Sequence, residues 1–128
     1  MENLPVNIER TAKIIVNSAY NVHKQLGPGL LESVYEICFC YELSKAGMFY
    51  ERQLNIPIHY DDILFDTGLR LDLLVEKQII CELKAVEVMH PVFQAQLLSY
   101  MKLSCKKLGF LINFNVPYIK EGIKRMIL

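Results

Sequence analysis

The spacing of apolar residues changes about a third of the way along the chain, and this change limits the folds available to it. In residues 8–25 and 30–45 the apolar side chains recur at three- and four-residue steps, which is typical of amphipathic helices. In residues 54–58 they alternate with polar ones, as in a half-buried strand. The Gly-Pro-Gly sequence at residues 27–29 separates the two helices, and Gly47 ends the second. A mixed α/β fold is therefore predicted.

Two predictions depend on helical periodicity alone. In the second helix we expect a buried stripe made of Leu30, Val34, Ile37 and Tyr41. Near the C-terminus, Ile119, Ile123 and Ile127 recur every four residues and predict a short closing helix.

With the remaining segments, the predicted order of elements along the chain is helix, helix, three strands, helix, strand and helix. Later apolar runs predict strands, and polar segments rich in Asp and Gly predict turns. These elements lie at residues 49–59 (strand), 61–62 and 66–68 (turns), 69–75 and 79–86 (a hairpin), 91–106 (a helix opened by Pro91) and 108–115 (strand). Because no repeat or linker interrupts them, we expect one domain across residues 1–128.

Charge and composition exclude several classes of function. Lys and Arg total 14, and so do Asp and Glu, so the chain as a whole is not a strongly basic nucleic-acid binder. Its 52% of hydrophobic residues can form a core, yet no segment reaches the roughly 20 apolar residues of a membrane span. The first seven residues lack the pattern of a secretion signal. We expect a soluble, cytoplasmic protein that does not associate with membranes.

Two acids and a lysine interrupt the apolar hairpin. Glu82 and Lys84 are two residues apart on a strand, so they project to the same face. If residues 76–78 form a three-residue loop, Asp72 lies opposite Glu82 on that face, whereas a two-residue turn would place the acids on opposite faces. Carboxylates about 5 Å apart repel unless a cation offsets them. Such a pair predicts a magnesium site, with an ordinary salt bridge near a sheet edge as the alternative.

These residues resemble the signature of a known family. Asp72 and, ten residues on, Glu82-Leu83-Lys84 resemble the split Asp and Glu-x-Lys motif of the PD-(D/E)XK nuclease superfamily. Residues 29–35, Gly-Leu-Leu-Glu-Ser-Val-Tyr, resemble the namesake motif of the GxxExxY proteins, a branch of that superfamily. Leu71 stands where the superfamily's name has proline. Further similar segments cover nearly the whole chain, at residues 27–36, 72–75, 82–87, 94–100 and 111–117.

The resemblance implies a restriction-endonuclease-like α/β core of helix, three-stranded meander, helix and strand, here with extra N- and C-terminal helices. It implies that Asp72 and Glu82 ligate Mg²⁺, with Mn²⁺ as a substitute, and that Lys84 completes the catalytic set. Glu32 matches an additional metal-binding acid, and its alternative is a first-turn acid favoured by the helix dipole. The function implied is magnesium-dependent hydrolysis of DNA. The alternative is a catalytically inactive module that binds nucleic acid or protein.

Three further residues are candidates for supporting the site or binding substrate. Gln96 and Tyr100, on one helical face, resemble the Gln-x-x-x-Tyr motif of RecB-type exonucleases, with a buried polar pair as the alternative. Tyr35 lies one turn after Glu32 and either hydrogen-bonds into the site or is a core aromatic. A small, neutral domain offers little surface to grip DNA, so we also expect a homodimer or a partner protein.

Overall fold

Helices pack on both faces of a five-stranded mixed sheet in this computed structural model, which describes residues 6–66 and 68–128. The predicted α/β fold class is confirmed. In chain order the elements are α1 (Val6–Leu26), α2 (Glu32–Lys45), β1 (Tyr50–Asn55), β2 (Ile58–Tyr60), β3 (Ile63–Phe65), β4 (Arg70–Val75), β5 (Ile79–Lys84), α3 (Pro91–Ser104), β6 (Leu108–Asn113), α4 (Ile119–Gly122) and β7 (Ile123–Ile127).

The large sheet follows the order β1-β4-β5-β6-β7. Neighbouring strands are antiparallel except β5 and β6, which are parallel and are joined by α3 as the crossover helix. Because β5 and β6 run in the same direction, both end at one edge of the sheet, where Lys84 pairs with Asn113. We call this edge the carboxyl edge.

Each face of the sheet covers its own apolar core. The core beneath α1 and α2 includes Ile15, Ala19, Tyr35, Phe39, Leu43, Cys81, Leu83, Phe110 and Phe114. The core beneath α3 consists of Leu69, Leu71, Leu74, Ile80, Leu97, Met101 and Leu111. On β5, Leu83 faces the first core and Ile80 the second. Since side chains alternate along a strand, Glu82 and Lys84 project to the α3 side.

The buried side of α2 differs from the predicted stripe. Ile37 is 62% exposed and Tyr41 is 64% exposed, whereas Tyr35 and Phe39 are fully buried. Both sets recur at helical spacing, so periodicity could not decide between them. The rings of Tyr35 and Phe39 pack against Phe114, and these aromatic contacts decide which side of α2 faces the sheet. Of the predicted stripe, Leu30, Ile37 and Tyr41 are exposed and Val34 is half-buried.

The C-terminal segment is a strand over most of the length for which a helix was predicted. The predicted closing helix is confirmed only in α4, a single turn, and β7 follows it immediately. β7 pairs with β6 from Ile112↔Ile123 to Leu108↔Ile127. A four-residue spacing places Ile123 and Ile127 on one face of a strand as well as of a helix, because four is a multiple of two. The strand forms because it satisfies the backbone groups on the outer edge of β6.

The strand predicted over residues 49–59 is divided in two. β1 ends at Asn55 and β2 begins at Ile58, since Pro57 between them has no N–H for a strand ladder. β2 and β3 form a two-stranded sheet of their own around the confirmed turn at residues 61–62. The turn predicted at residues 66–68 includes residue 67, which lies outside the described residues.

No helix in residues 6–66 and 68–128 has the length and apolar character needed to cross a membrane.

Candidate functional site

The hairpin of β4 and β5 carries the two acids that the sequence singles out. Its strands pair at Val75↔Ile79, so residues 76–78 form a three-residue turn, which is the first of the two registers that the sequence left open. Continued along the strands, this register brings Asp72 opposite Glu82. The two acids therefore meet on the α3 side of the sheet, as the three-residue loop requires.

At this point in the hairpin, carboxylates replace backbone carbonyls as the acceptors between strands. The Asp72 N–H donates to Glu82 Oε2 at 2.9 Å, and the Leu83 N–H donates to Asp72 Oδ2 at 3.0 Å. Each acid is thus held by the backbone of the opposite strand through one oxygen. In the described ranges no buried side-chain oxygen or nitrogen lacks a hydrogen-bond partner. The second oxygen of each acid, which accepts no hydrogen bond from the described residues, therefore keeps some contact with solvent.

The two carboxyl groups lie in each other's electric field with little water around them. Glu82 is 4% exposed, and burial, followed by the charge of Asp72, raises the pKa of Glu82 to about 8 despite the Asp72 N–H and Lys84. Burial also raises the pKa of Asp72, against the opposing effects of the Leu83 N–H and Lys84. The pair therefore retains a proton near neutral pH unless a cation offsets its second negative charge.

Lys84 brings a positive charge to the acids from the end of β5. Its Nζ lies 4.5 Å from the centroid of the Phe93 ring on α3, a cation–π distance that orients the ammonium. Its charge opposes the rise in the pKa of Glu32, Asp72 and Glu82. One ammonium faces three carboxylates, so the fully ionised cluster is net negative.

Glu32 begins α2 beside this cluster and is more exposed than the other two acids. Burial and then Asp72 raise the pKa of Glu32, whereas Lys84 lowers it, which places Glu32 within electrostatic reach of the pair. Among the residues that the structure describes, no three His, Cys, Asp or Glu side chains converge closely enough to hold a metal ion. The three carboxylates are neighbours without a preformed three-ligand site, and Glu32 as a ligand stays a prediction.

The two candidates on α3 differ in their surroundings. Tyr100 is half-buried, and burial, followed by the charges of Glu82 and Asp72, raises the pKa of its hydroxyl. The hydroxyl therefore lies near the acid pair. Gln96 is exposed, so the alternative of a buried polar pair does not describe it. The four-residue spacing places both on one side of α3, and a substrate-binding role for either stays a prediction.

Tyr35 stabilises the turn that leads into α2. The residue is fully buried, and its ring stacks on Phe114 with 4.7 Å between centroids. Its hydroxyl donates to the Gly27 carbonyl at 2.6 Å and accepts from the Leu30 N–H at 3.1 Å. Tyr35 is thus a core aromatic whose hydroxyl bonds the turn before α2, and a supporting role at the site stays a prediction.

Sequence reasoning missed Asn113, which joins the end of β6 to the segment after β5 at the carboxyl edge. Asn113 is 2% exposed, and its side-chain amide makes two hydrogen bonds to the backbone of Val86. Its Nδ2 donates to the Val86 carbonyl at 2.9 Å, and its Oδ1 accepts from the Val86 N–H at 3.1 Å. Next to it, the Phe114 N–H donates to the Lys84 carbonyl at 2.9 Å. A polar residue ending an apolar strand was the available signal, because a buried amide must be hydrogen-bonded. The contact of Phe93 with Lys84 had no such signal.

Comparison with known proteins supports the same assignment. A family model described as the PD-(D/E)XK nuclease superfamily matches residues 9–126 of the chain. The match includes Glu32, Asp72, Glu82 and Lys84. A search of curated proteins and a search of solved structures each found no match.

Proposed function

The chain belongs to the PD-(D/E)XK nuclease superfamily, and on that premise we propose that it is a magnesium-dependent nuclease that hydrolyses phosphodiester bonds of DNA. The observation that carries this proposal is the pairing of the buried Glu82 with the half-buried Asp72, with Lys84 beside them. A buried acid pair of this kind is costly unless it binds a cation, so it is a candidate for function.

The donor set at the acid pair fits magnesium. Asp72 and Glu82 each offer one carboxylate oxygen that no backbone N–H occupies. Magnesium takes one or two carboxylates and completes its shell with waters and substrate phosphate, so it does not require three protein ligands. We propose Asp72 and Glu82 as the ligands, with Glu32 as a further acid and the Leu83 carbonyl as an additional oxygen. Manganese has similar ligand preferences and is the expected substitute.

The proposed mechanism assigns separate tasks to the acids and the lysine. A bound divalent cation supplies Lewis-acid stabilisation of charge on the phosphate and acidifies water. Asp72 and Glu82 fix the position of the site, since each is anchored to the facing strand. Lys84 directs its ammonium at the negative charge that develops on the phosphate and orients the attacking water by hydrogen bonding. Phe93 keeps that ammonium in place.

Replacing the lysine is the direct test of this proposal. Lys84→Ala should abolish magnesium-dependent cleavage of DNA while changing the melting temperature little, because Lys84 is half-buried at the end of a strand. Lys77→Ala, in the turn at the other end of the same hairpin, is the matched control and should cleave normally. Equal cleavage by the Lys84→Ala protein and the wild-type protein would reject the assigned role.

A catalytically inactive nucleic-acid- or protein-binding module is the second candidate. Isothermal titration calorimetry separates the two candidates. Heat of binding for magnesium or manganese at millimolar concentration, lost in Glu82→Gln, supports the nuclease, and no heat in the wild-type protein supports the binding module.

The finer assignments belong to the same proposal. Residues 29–35 support membership of the GxxExxY branch, and we propose one domain over residues 1–128, located in the cytoplasm. We further propose a homodimer or a partner protein that enlarges the surface gripping the substrate, since specific protein–DNA interfaces bury on the order of 1,000 Å² or more. A monomer with full nuclease activity at high concentration would contradict this last point.

A further inference from the structure

A cavity of about 700 Å³ lies between the end of α1 and the segment that follows β6. Its walls are mostly apolar and include Tyr20 and Tyr118, which are 41% and 71% exposed. Lys24 and Lys120 stand in the same lining, both at the surface. The cavity therefore combines open aromatic rings with two ammonium groups. Its volume is in the range of sites that bind small ligands.

The cavity opens from the same edge of the sheet as the acid pair. The chain leaves β6 beside Lys84, whose carbonyl accepts the Phe114 N–H. Two residues later, the Val116 carbonyl accepts a hydrogen bond from His23 Nε2 at 2.7 Å. This bond fixes the end of α1 against the segment that carries Tyr118 and Lys120. One short stretch of chain thus links Lys84 to the wall of the cavity.

The chemistry of the lining is suited to an unpaired nucleic-acid strand. Bases stack on aromatic side chains, while lysines track the phosphates between them. The bases of a duplex are already stacked on one another, so they cannot also stack on exposed tyrosines in a concave apolar wall. A purely electrostatic duplex contact would also require more positive charge than Lys24 and Lys120 provide beside Glu121.

We propose that this cavity binds single-stranded nucleic acid, with bases stacked on Tyr20 and Tyr118 and phosphates contacted by Lys24 and Lys120. The inference rests on the proposed nuclease function for its ligand class, and it narrows the substrate to an unpaired strand or a single-stranded end. The strand held there continues along the carboxyl edge toward the acid pair.

Binding measured without divalent metal tests this inference independently of cleavage. Fluorescence anisotropy in EDTA, with labelled oligothymidylate and oligouridylate of about 20 nucleotides, should show binding by the wild-type protein. Tyr118→Ala should weaken binding roughly tenfold, since stacking contributes about 1–3 kcal/mol per base. Lys120→Gln should weaken it less and reduce its dependence on salt.

Matched controls lie on other surfaces of the molecule. Tyr60→Ala, in the β2–β3 hairpin and 67% exposed, and Lys102→Gln on α3 should bind like the wild type. Melting curves establish that each variant is folded. The inference is overturned if neither oligonucleotide binds, if a duplex binds as tightly, or if Tyr118→Ala and Tyr60→Ala bind equally.

The two proposals fail in different ways. Loss of strand binding in Tyr118→Ala without cleavage of any substrate by the wild type would support the strand site and reject the nuclease. Metal-dependent cleavage that is unchanged in Tyr118→Ala would support the nuclease and reject the strand site.

Discussion

Glu36 and Glu82 are both deeply buried, at 7% and 4% exposure, yet the side chains that lie against them differ in the sign of their charge. Glu36 on α2 accepts two hydrogen bonds from the Arg52 guanidinium, at 2.6 and 2.9 Å, and another from Gln53 at 3.1 Å. Glu82 on β5 accepts the Asp72 N–H and lies beside the Asp72 carboxyl group. One buried acid is neutralised by the protein itself, and the other faces a second acid.

This difference separates a structural acid from a candidate functional one. Burial alone does not distinguish them, because both glutamates have lost most of their water. A guanidinium that approaches a carboxylate with two N–H groups offsets the lost hydration and leaves no position for a ligand. Two adjacent carboxyl groups cannot both ionise cheaply, so the site gains free energy from any cation that enters it.

The largest effect should follow from neutralising the functional acid. Glu82→Gln keeps the shape of the side chain but removes a proposed metal ligand, and we expect magnesium-dependent cleavage to fall by roughly 10³-fold. Initial rates on a DNA substrate measure the change. Glu87→Gln, an exposed acid just past β5, is the control and should retain its activity. Unchanged rates in Glu82→Gln would remove the distinction between the two glutamates.

The free energy of unfolding should depend on pH because the pKa of Glu82 is raised in the folded protein. Below pH 4.5 Glu82 is protonated whether folded or unfolded, and between about 4.5 and 8 only the unfolded chain loses that proton. The free energy of unfolding in EDTA should therefore decline as pH rises, with a slope approaching about 1.4 kcal/mol per pH unit, and level off above pH 8. Urea denaturation between pH 5 and 9 measures it. Glu82→Gln should flatten the curve, and an unaltered slope in that variant would assign the effect to other groups.

Removing the partner of the structural acid should destabilise the fold. Arg52→Ala leaves Glu36 buried with only Gln53, and since Arg52 is half-exposed we expect a loss of about 1–2 kcal/mol. Arg52→Lys should lose less, because it keeps the charge without the paired N–H groups. In the same urea experiment at pH 8, Glu82→Gln should be as stable as the wild type or more so. A greater loss in Glu82→Gln than in Arg52→Ala would reverse the comparison.

The smallest effect is expected at a third buried glutamate. Glu42 accepts hydrogen bonds from Asn21 at 3.0 Å and from the exposed Lys45 at 3.3 Å. Lys45→Ala should cost only about 0.3 kcal/mol, because Lys45 is itself exposed to solvent and the hydrogen bond from Asn21 remains. A double-mutant cycle with Glu42→Gln measures the coupling energy between Lys45 and Glu42. A value above about 1 kcal/mol would show that an exposed lysine stabilises a buried glutamate more strongly than we expect.

Local patterns predicted the acid hairpin but left two registers for it. The structure selects the three-residue turn, with Val75 paired to Ile79, and that pairing brings Asp72 opposite Glu82. Side-chain alternation likewise predicted that Glu82 and Lys84 share a face. These features depend on residues close together in the chain, so the sequence contains the information directly.

Longer-range packing decided what periodicity could not. α2 has apolar residues on two sides, and contact with Phe114 selected Tyr35 and Phe39 over Ile37 and Tyr41 for the core. β7 formed because β6 had an open edge, although its isoleucines have helical spacing as well. The contact with Phe114 cannot be read from the sequence of α2, and the open edge of β6 cannot be read from the sequence of β7.

By itself, the sequence determined most of the alternation of helices and strands and the presence of two acids and a lysine in one hairpin, since both follow from short spacings. Only the tertiary structure decided that Glu36 would meet Arg52, 16 residues away, and that Lys84 would lie against Phe93 of the crossover helix. The reason is that the charge state and ligand-binding capacity of a buried carboxyl group depend on side chains brought from distant segments into a space without water.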